Sequence, residues 1–237
     1  MIKTMLALML CIGLSACATT QFNSAVNGFA DPGFVPNARH IIMPSTEMQK
    51  GDLQFAETSA ELGRAMVANG LTMAAPGEKP DVAVFVEYGI GSPRTITSVI
   101  SIPVWGQTGV ASATTTATAT SYGATTNVQA TTTYTPTYGV VGQNNVPVSQ
   151  TIFDRFITIR AYDVAAYAKT QQMHELWQMQ VRSSGVSGDL RYVLPYMLRA
   201  AQPYLGRSTG RAIDASYLQD DPQVEFIRTG VTPTKKR

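Results

Sequence analysis

The chain has 237 residues, a formal net charge of +2 and a charged fraction of only 14%, whereas soluble domains typically reach about 25%. Its one basic run, at 235–237, is short and terminal, so nucleic acid is a poor candidate partner. Both cysteines, Cys11 and Cys17, lie near the N-terminus. The rest of the chain therefore has no disulfide, no thiol nucleophile and no cysteine ligand for a metal.

Residues 1–16 combine a positive charge with a short apolar run, which is the pattern of a signal peptide. Lys3 supplies the positive start, and the apolar run at 5–13 is too short for a spanning helix, which needs about 20 apolar residues. The stretch 14–17, Leu-Ser-Ala-Cys, resembles the lipobox of bacterial lipoproteins. The resemblance implies diacylglyceryl transfer to the Cys17 sulfur and cleavage before it. An ordinary secretory signal with a chance cysteine is the alternative.

A lipidated Cys17 makes a membrane the first expected partner. Each buried methylene of an acyl chain such as palmitate adds about 0.8 kcal/mol, so several chains on one cysteine form a stable anchor. Ala18 follows the cysteine, where aspartate would favour retention in the inner membrane. By resemblance to enteric sorting rules, we expect the periplasmic face of the outer membrane, with the inner membrane as the alternative.

The first half of the chain predicts a tether, a strand, a helix and a second strand. Residues 17–37 are small and polar with several Gly and Pro, which predicts a tether. A short strand is expected at Arg39–Met43, and 81–90 alternates as the clearest strand. Between them a helix is predicted over 52–69, ended by Gly70. Its predicted apolar face is Phe55, Ser59, Leu62, Met66 and Val67.

The second half predicts an antiparallel strand pair and another helix. The strands span 151–164 and 174–183, and the short link 165–170 between them favours antiparallel pairing. A helix follows over 189–205, with Ser187 as its expected N-cap and Pro195 as a kink. Residues 207–237 are predicted to be a polar tail, in which only 224–227 resembles a last short strand.

The insert at about 92–150 is rich in Thr and Ala and interrupts this pattern. Two Thr-rich tracts, 113–120 and 130–138, predict either a solvated hairpin arm or a low-complexity loop. Thr favours extended backbone, but Thr and Ala have little apolar area to bury. Inserts of this length in compact domains are commonly functional or disordered.

The order of these elements resembles the DUF4136 lipoproteins, exported proteins of unsettled function. The resemblance covers about 39–91 and 151–206, and the insert departs from it. It implies a compact α/β domain and supplies no catalytic residues. The matching positions are Gly51-Asp52, Gly70-Leu71, Pro80-Asp81-Val82, Tyr162-Asp163-Val164, Leu176-Trp177 and the helix from Leu190 to Leu205.

Residues able to perform chemistry are few. His40 and His174 are the only histidines. They could form a general base or a two-histidine metal site, or they could be ordinary histidines of strands. The sequence has no metal-ligand spacing around them, which favours ordinary strand histidines. Arg155 and Arg160 could grip anionic groups, against the alternative of pairing with Asp154, Asp163 or Glu175. The insert aromatics, able to stack on a ligand or partner, are Trp105, Tyr122, Tyr134 and Tyr138. We therefore predict no catalytic residue, no cofactor and no metal.

These observations predict one α/β (α+β) domain over 38–206. An antiparallel-rich mixed sheet is packed by two helices and carries the long Thr/Ala-rich hairpin or loop insert. The expected function is a non-enzymatic cell-envelope lipoprotein with a structural or adaptor role and an envelope protein partner. A periplasmic binding module for a small or polymeric envelope ligand is the alternative, and an enzyme of unknown type is third.

Overall fold

A computed structural model describes residues 21–45 and 50–232. The predicted signal peptide, Cys17 and the basic run at 235–237 lie outside these described residues. The elements in chain order are β1 (Gln21–Ala30), β2 (Arg39–Met43), α1 (Leu53–Ala68), β3 (Thr72–Met73), β4 (Val82–Ile90), β5 (Arg94–Tyr122), β6 (Thr125–Asp163), α2 (Val164–Thr170), β7 (Glu175–Gly185), α3 (Leu190–Ala201), a 3-10 turn (Gln202–Tyr204), β8 (Ile213–Leu218) and α4 (Pro222–Thr229).

The fold is the predicted mixture of helices with an antiparallel-rich mixed sheet. The strand order is β3-β2-β4-β6-β7-β1-β8, and β5 pairs with β6. β2 runs parallel to β3 and β4, whereas the pairs β4–β6, β6–β7, β7–β1 and β1–β8 are antiparallel. The predicted antiparallel pair is thus β6 with β7, in a register that places Ile157 opposite Val181.

The core lies between one face of this sheet and the helices α1, α3 and α4. Alternation along the strands sends every second side chain to that face, and α1 and α3 each contribute a buried apolar stripe. The largest buried side chains of this core include Leu62, Met66, Ile157, Ile159, Trp177, Met179, Leu194, Met197, Leu198 and Ile227.

Helix α1 begins and ends close to its predicted limits. Asp52 is the N-cap and accepts a hydrogen bond from the Gln54 backbone N at 2.9 Å, and Gly70 follows the helix with a φ of +89°. Gly at this position relieves the steric cost of a left-handed residue. The predicted face was wrong at Val67, which is 55% exposed, because Glu61 is buried beside Leu62.

The predicted tether was wrong for residues 21–30, which form β1. This strand lies between β7 and β8, and Val26 is fully buried opposite Val181. Phe22, Ser24, Val26, Gly28 and Ala30 alternate on its core face, and the small polar residues among them conceal the apolar pattern of a strand.

The predicted polar tail was also wrong, because β8 completes the sheet beside β1 and α4 packs against α1 and α3. The short strand expected at 224–227 is instead part of α4. Asp221 caps this helix by accepting from the Gln223 N at 2.7 Å, Pro222 occupies its first turn, and Gly230 follows it with a φ of +78°. Val224 and Ile227 are buried.

Two details of the predicted connections also change. The link after β6 is the short helix α2, capped by Asp163. Helix α3 is capped by Asp189, which accepts from the Tyr192 N at 3.2 Å, and not by Ser187. Pro195 lies inside α3, which continues to Ala201 and passes into the 3-10 turn.

The described chain forms two compact units. The first is the α/β domain, which is interrupted after Arg94 and resumes at Ile152; the second, Thr95–Thr151, corresponds to the predicted insert and is called the arm below. The arm comprises most of β5 and the N-terminal part of β6. None of the described helices is long and apolar enough to cross a membrane.

Candidate functional sites: an uncharged arm and a buried carboxyl

The arm contains no charged residue. Every Asp, Glu, Lys, Arg and His of the chain lies outside Thr95–Thr151. No side chain of the arm is buried, and all but three of its residues are exposed. An uncharged segment with exposed Val, Ile, Trp and Tyr side chains differs from the mixed charged surface that keeps soluble domains apart.

A tight turn and a ladder of hydroxyl groups set the pairing of the two arm strands. Gly123 and Ala124 form a two-residue turn in which only the glycine has a positive φ, +61°, as in a type II′ hairpin. Across the strands, Thr115 Oγ1 lies 2.9 Å from Thr132 Oγ1, and Ser121 Oγ lies 3.0 Å from Thr126 Oγ1. The hairpin arm, one of the two predicted forms of the insert, is therefore the one observed.

This register gives the distal arm two different faces. Between about 107 and 140, one face carries mostly Thr, Ser, Asn and Gln, because alternate residues share a face and paired residues point the same way. The opposite face carries Ala111, Ala113, Ala117 and Ala119 from β5, with Val128, Ala130, Tyr134, Tyr138 and Val140 from β6.

The four predicted aromatic contact residues are all exposed, between 62% and 79%. Tyr134 and Tyr138 share the Ala-rich face of β6, whereas Tyr122 lies at the turn on the Thr-rich face. Within the described residues, no ring-to-ring contact joins Trp105 or any of these tyrosines to another ring. The structure thus spreads the four rings along the arm and does not gather them into one binding surface.

Arg155 and Arg160 lie on opposite faces of β6, as their spacing predicts. Arg160 is exposed, whereas Arg155 is 4% exposed and faces the helices, with its guanidinium over the Phe22 ring at 5.3 Å. The expected pairing of Arg155 with Asp154 was wrong, because Asp154 accepts from Arg94 at 3.0 and 3.3 Å. Burial lowers the pKa of Arg155.

The two histidines differ sharply in environment. His40 is fully buried on β2, with its ring beside Phe34 and Trp177 and its Nδ1 3.1 Å from the Thr72 carbonyl. Burial lowers its pKa below the usual value for histidine. His174 is exposed before β7. In the part of the chain that the structure describes, no cluster of three or more His, Cys, Asp or Glu residues could hold a metal.

A cavity between α1 and α3 contains a titratable group that sequence reasoning missed. The cavity has a volume of about 370 Å³ and is lined by Leu53, Gln54, Glu57, Thr58, Glu61, Arg191 and Leu194. Glu61 is only 2% exposed. Its burial, helped by the negative charge of Glu57, raises the pKa of Glu61 to about 7. At its side, Glu57 accepts from Arg191 Nε at 2.9 Å.

Perturbed carboxyl groups in clefts are features of functional sites, although structural ion-pair networks produce them too. The sequence signal for this one was present. Glu57 and Glu61 are four residues apart in α1, so the two carboxylates share a helix face, and Leu62 and Ala65 beside Glu61 are core residues.

Comparisons with known proteins leave the family open. No family model matches the chain, and no curated protein matches it. Among solved structures, it is similar to a PDZ domain protein from Parabacteroides distasonis at 12% sequence identity and a TM-score of 0.37. The match covers 84% of this chain and 39% of that one, so this chain spans well under half of the neighbour's length. A likeness this weak carries no argument, and membership of the DUF4136 family stays a prediction.

Proposed function

We propose that this chain is a non-enzymatic lipoprotein of the bacterial cell envelope that acts as an adaptor through its arm. The observation that carries the proposal is the arm itself, a hairpin from Thr95 to Thr151 with no charged residue and no buried side chain. Natural sheets protect exposed strand edges with charged residues, Pro, bulges or covering elements. The arm has no charged residue and only three prolines, Pro103, Pro136 and Pro147, so the long stretches between them are suited to pairing with another protein.

The absence of acidic, basic and histidine side chains from the arm also favours binding over catalysis. General acid–base catalysis uses His, Asp, Glu, Lys, Cys or Tyr at a defined position. Of these the arm has only Tyr, and the three arm tyrosines are highly exposed. The most distinctive part of the chain therefore offers hydrogen-bonding backbone and aromatic surface, which are the means of recognition.

The proposed anchor holds the α/β domain close to a membrane. Only residues 18–20 separate Cys17 from the first residue of β1, Gln21. At no more than about 3.6 Å per residue, the Cα atom of Gln21 lies within about 14 Å of the Cα atom of Cys17. We propose the periplasmic face of the outer membrane as the location, on the strength of the lipobox and of Ala18 after it.

The adaptor proposal is tested by shortening the arm in its own register. Ser112 and Thr135 face each other ten residues from the Tyr122–Thr125 pair that closes the natural turn, so replacing 113–134 with Asn-Gly keeps the pairing of a two-residue hairpin. In-cell crosslinking followed by mass spectrometry should recover an envelope protein with the full-length chain and lose it with the shortened one. Recovery of the same proteins with both chains would contradict an adaptor role for the arm.

The anchor has its own test. Cys17→Ser should move the protein from the membrane fraction to the soluble fraction, because the acyl chains would have no acceptor. The matched control is Cys11→Ser, which changes the cysteine that leaves with the signal peptide. Persistent membrane retention of Cys17→Ser, with Cys11→Ser unchanged, would refute the lipid anchor while leaving the arm proposal intact.

A small-ligand binding module is the second candidate, and the cavity beside Glu61 favours it. Its volume of about 370 Å³ lies within the ordinary range of about 300–1,000 Å³ for ligand sites. Screening free amino acids and short peptides by thermal shift tests this function. A hit should be lost in Leu194→Trp, which fills the cavity, and no hit from either class would remove the candidate for these ligands.

A further inference from the structure

We propose that the arm pairs edge to edge with the arms of further copies of this chain, β5 of one copy against β6 of the next. This inference rests on the proposed function and names the partner of the arm. It depends on three observations: both arm edges are open, both are uncharged, and the two faces of the arm differ in chemistry.

Both edges of the arm lack a neighbour within the described chain. β5 pairs with β6 alone, and β6 meets β7 only from Phe153 onward, which is beyond the arm. Along each strand, alternate residues direct their backbone N–H and C=O groups outward. β5 is 29 residues long, whereas strands usually have about 3–10 residues, so each open edge is several times the ordinary length.

A second arm would supply the additional strands that a lone two-stranded hairpin lacks. Isolated two-stranded hairpins are marginally stable in water, and three or more strands are needed for independent stability. Pairing each outer edge with another arm converts every hairpin into part of a wider sheet. Since the arm has no charged residue, no electrostatic repulsion between identical segments opposes this contact.

The chemistry of the two faces also suits identical partners. In an extended sheet of arms, Thr-rich faces join into one surface and Ala-rich faces join into the other. Hydroxyl pairs of the kind that Thr115 and Thr132 form within one arm, 2.9 Å apart among the alanines of the Ala-rich face, would form across each contact between Thr-rich faces. Threonine pairs across neighbouring strands stabilise sheets. We therefore expect the hydroxyl contacts between β5 and β6 within one arm to be repeated between β5 of one copy and β6 of the next.

The alternation of strand direction in the hairpin selects the geometry of the contact. For copies whose arms point the same way, two β5 edges would run parallel, whereas a β5 edge meeting a β6 edge is antiparallel and continues the alternation of the hairpin. The contact is therefore head to tail. Contacts of this type close into rings or extend without limit, and they do not stop at a two-fold dimer.

Engineered cysteines test this pairing directly, because the mature chain has no cysteine except Cys17. Ser112→Cys places a thiol on the Thr-rich face of β5, and Gln129→Cys, Thr131→Cys or Thr133→Cys places one on the same face of β6. Two differently tagged full-length copies, one from each group, are co-expressed, solubilised in detergent and mildly oxidised.

A disulfide-linked heterodimer is expected with at least one β6 position, and not with Ser112→Cys alone. The full-length chain should also have a multimeric mass by light scattering in detergent, and the chain with 113–134 replaced by Asn-Gly should be monomeric. Thr116→Lys, which introduces an uncompensated charge on β5 at every contact with β6 of the next copy, should weaken the multimer, whereas Gln178→Lys on β7 of the domain should not.

A monomeric full-length chain with no crosslink at any β6 position would overturn the inference. If that monomer still lost an envelope partner on shortening of the arm, the adaptor function would stand and only self-pairing would fail. A monomer whose Trp105 fluorescence shifts to the blue on addition of phosphatidylglycerol vesicles would also overturn it, in favour of a lipid contact. Efficient crosslinking of Ser112→Cys alone would replace the head-to-tail contact with a β5–β5 one.

Discussion

Arg155 donates from Nη2 to Ser183 Oγ over 3.4 Å, its one hydrogen bond within the described residues. The Ser183 hydroxyl in turn donates to the Asn23 carbonyl at 2.8 Å, so three neighbouring strands, β6, β7 and β1, meet through this pair. The guanidinium rests against Gly185, where a Cβ atom would overlap Nη2. Its Nε has no partner among the described atoms.

A buried cation without a carboxylate partner gives a clear expectation for stability. Replacing a poorly compensated buried charge with an apolar residue of similar volume is often neutral or stabilising. We expect Arg155→Met to change the free energy of unfolding by less than about 1 kcal/mol, or to raise it, in chemical denaturation. Arg155→Ala should cost about 2 kcal/mol or more, because it also removes the packing against Phe22.

Marked destabilisation by Arg155→Met would contradict this account of an uncompensated charge. It would indicate that the guanidinium is satisfied by a bound anion, and added phosphate should then raise the Tm of the unmodified chain but not of the variant.

A substitution at Gly28 distinguishes the observed strand β1 from the tether that the sequence predicts. A Cβ atom at this position would lie 2.6 Å from the Arg207 carbonyl oxygen and 2.8 Å from the Met179 side chain. Gly28→Ala is therefore expected to lower the free energy of unfolding by about 1–3 kcal/mol, the usual cost of overpacking. Gly33→Ala, in the following loop where a Cβ would meet only Asp31 at 3.1 Å, is the matched control. Equal stabilities of the two variants would favour the tether over β1.

The strength of the apolar pattern decided which elements could be predicted. β4 alternates Val82, Val84 and Val86 toward the core, and α1 repeats Leu62 and Met66 at helical spacing, so local sequence and tertiary burial agree there. β1 and β8 present Ser24 and Ala215 where a strand usually presents Val or Ile. Their position in the sheet comes from partners about 150 or more residues away, as with Ser183 and Asn23, which periodicity cannot reveal.

The candidate site residues also divide into features that the local sequence predicts and features that depend on distant partners. The composition of the arm was visible in the sequence, but the choice between a hairpin and a loop depended on the register, which Gly123 and the Thr115–Thr132 pair set. Helix α4 has recognisable caps in Asp221, Pro222 and Gly230, yet its apolar centre at 224–227 resembles a short strand. The spacing of Glu57 and Glu61 is visible in the sequence, but the burial that shifts the pKa of Glu61 depends on the packing of α1 against α3.

Glu61 should make the protein less stable as the pH rises. Its pKa is about 7 in the folded chain, above the ordinary value of about 4.3 expected when unfolded. The folded state therefore holds the proton more tightly, and stability falls as the pH rises from about 4.5 to 7. Glu61→Gln should remove this loss, about 2–3 kcal/mol at pH 8, as measured by denaturation at pH 5 and 8. Glu87→Gln, an equal charge change at an exposed residue, should keep it.

His40 should produce the opposite dependence at lower pH. Burial lowers its pKa, so the unfolded chain takes up the proton more readily than the folded one. Its contribution to stability is complete above the unfolded pKa of about 6.5 and is lost as the pH falls from that value through the folded pKa. His40→Phe removes the titrating ring but fits an aromatic side chain beside Phe34 and Trp177. Loss of the Thr72 contact should lower its stability by about 1 kcal/mol at pH 8.

Between pH 7 and pH 5, however, His40→Phe should lose less stability than the unmodified chain, and His174→Phe, at an exposed position, should behave like the unmodified chain. Because Glu61 acts in the opposite direction over part of this range, the comparison is cleanest in the Glu61→Gln background. In that background the remaining acid destabilisation between pH 7 and pH 5 is expected to depend mainly on His40. Equal pH profiles for Glu61→Gln with and without His40→Phe would show that the buried ring is not held neutral.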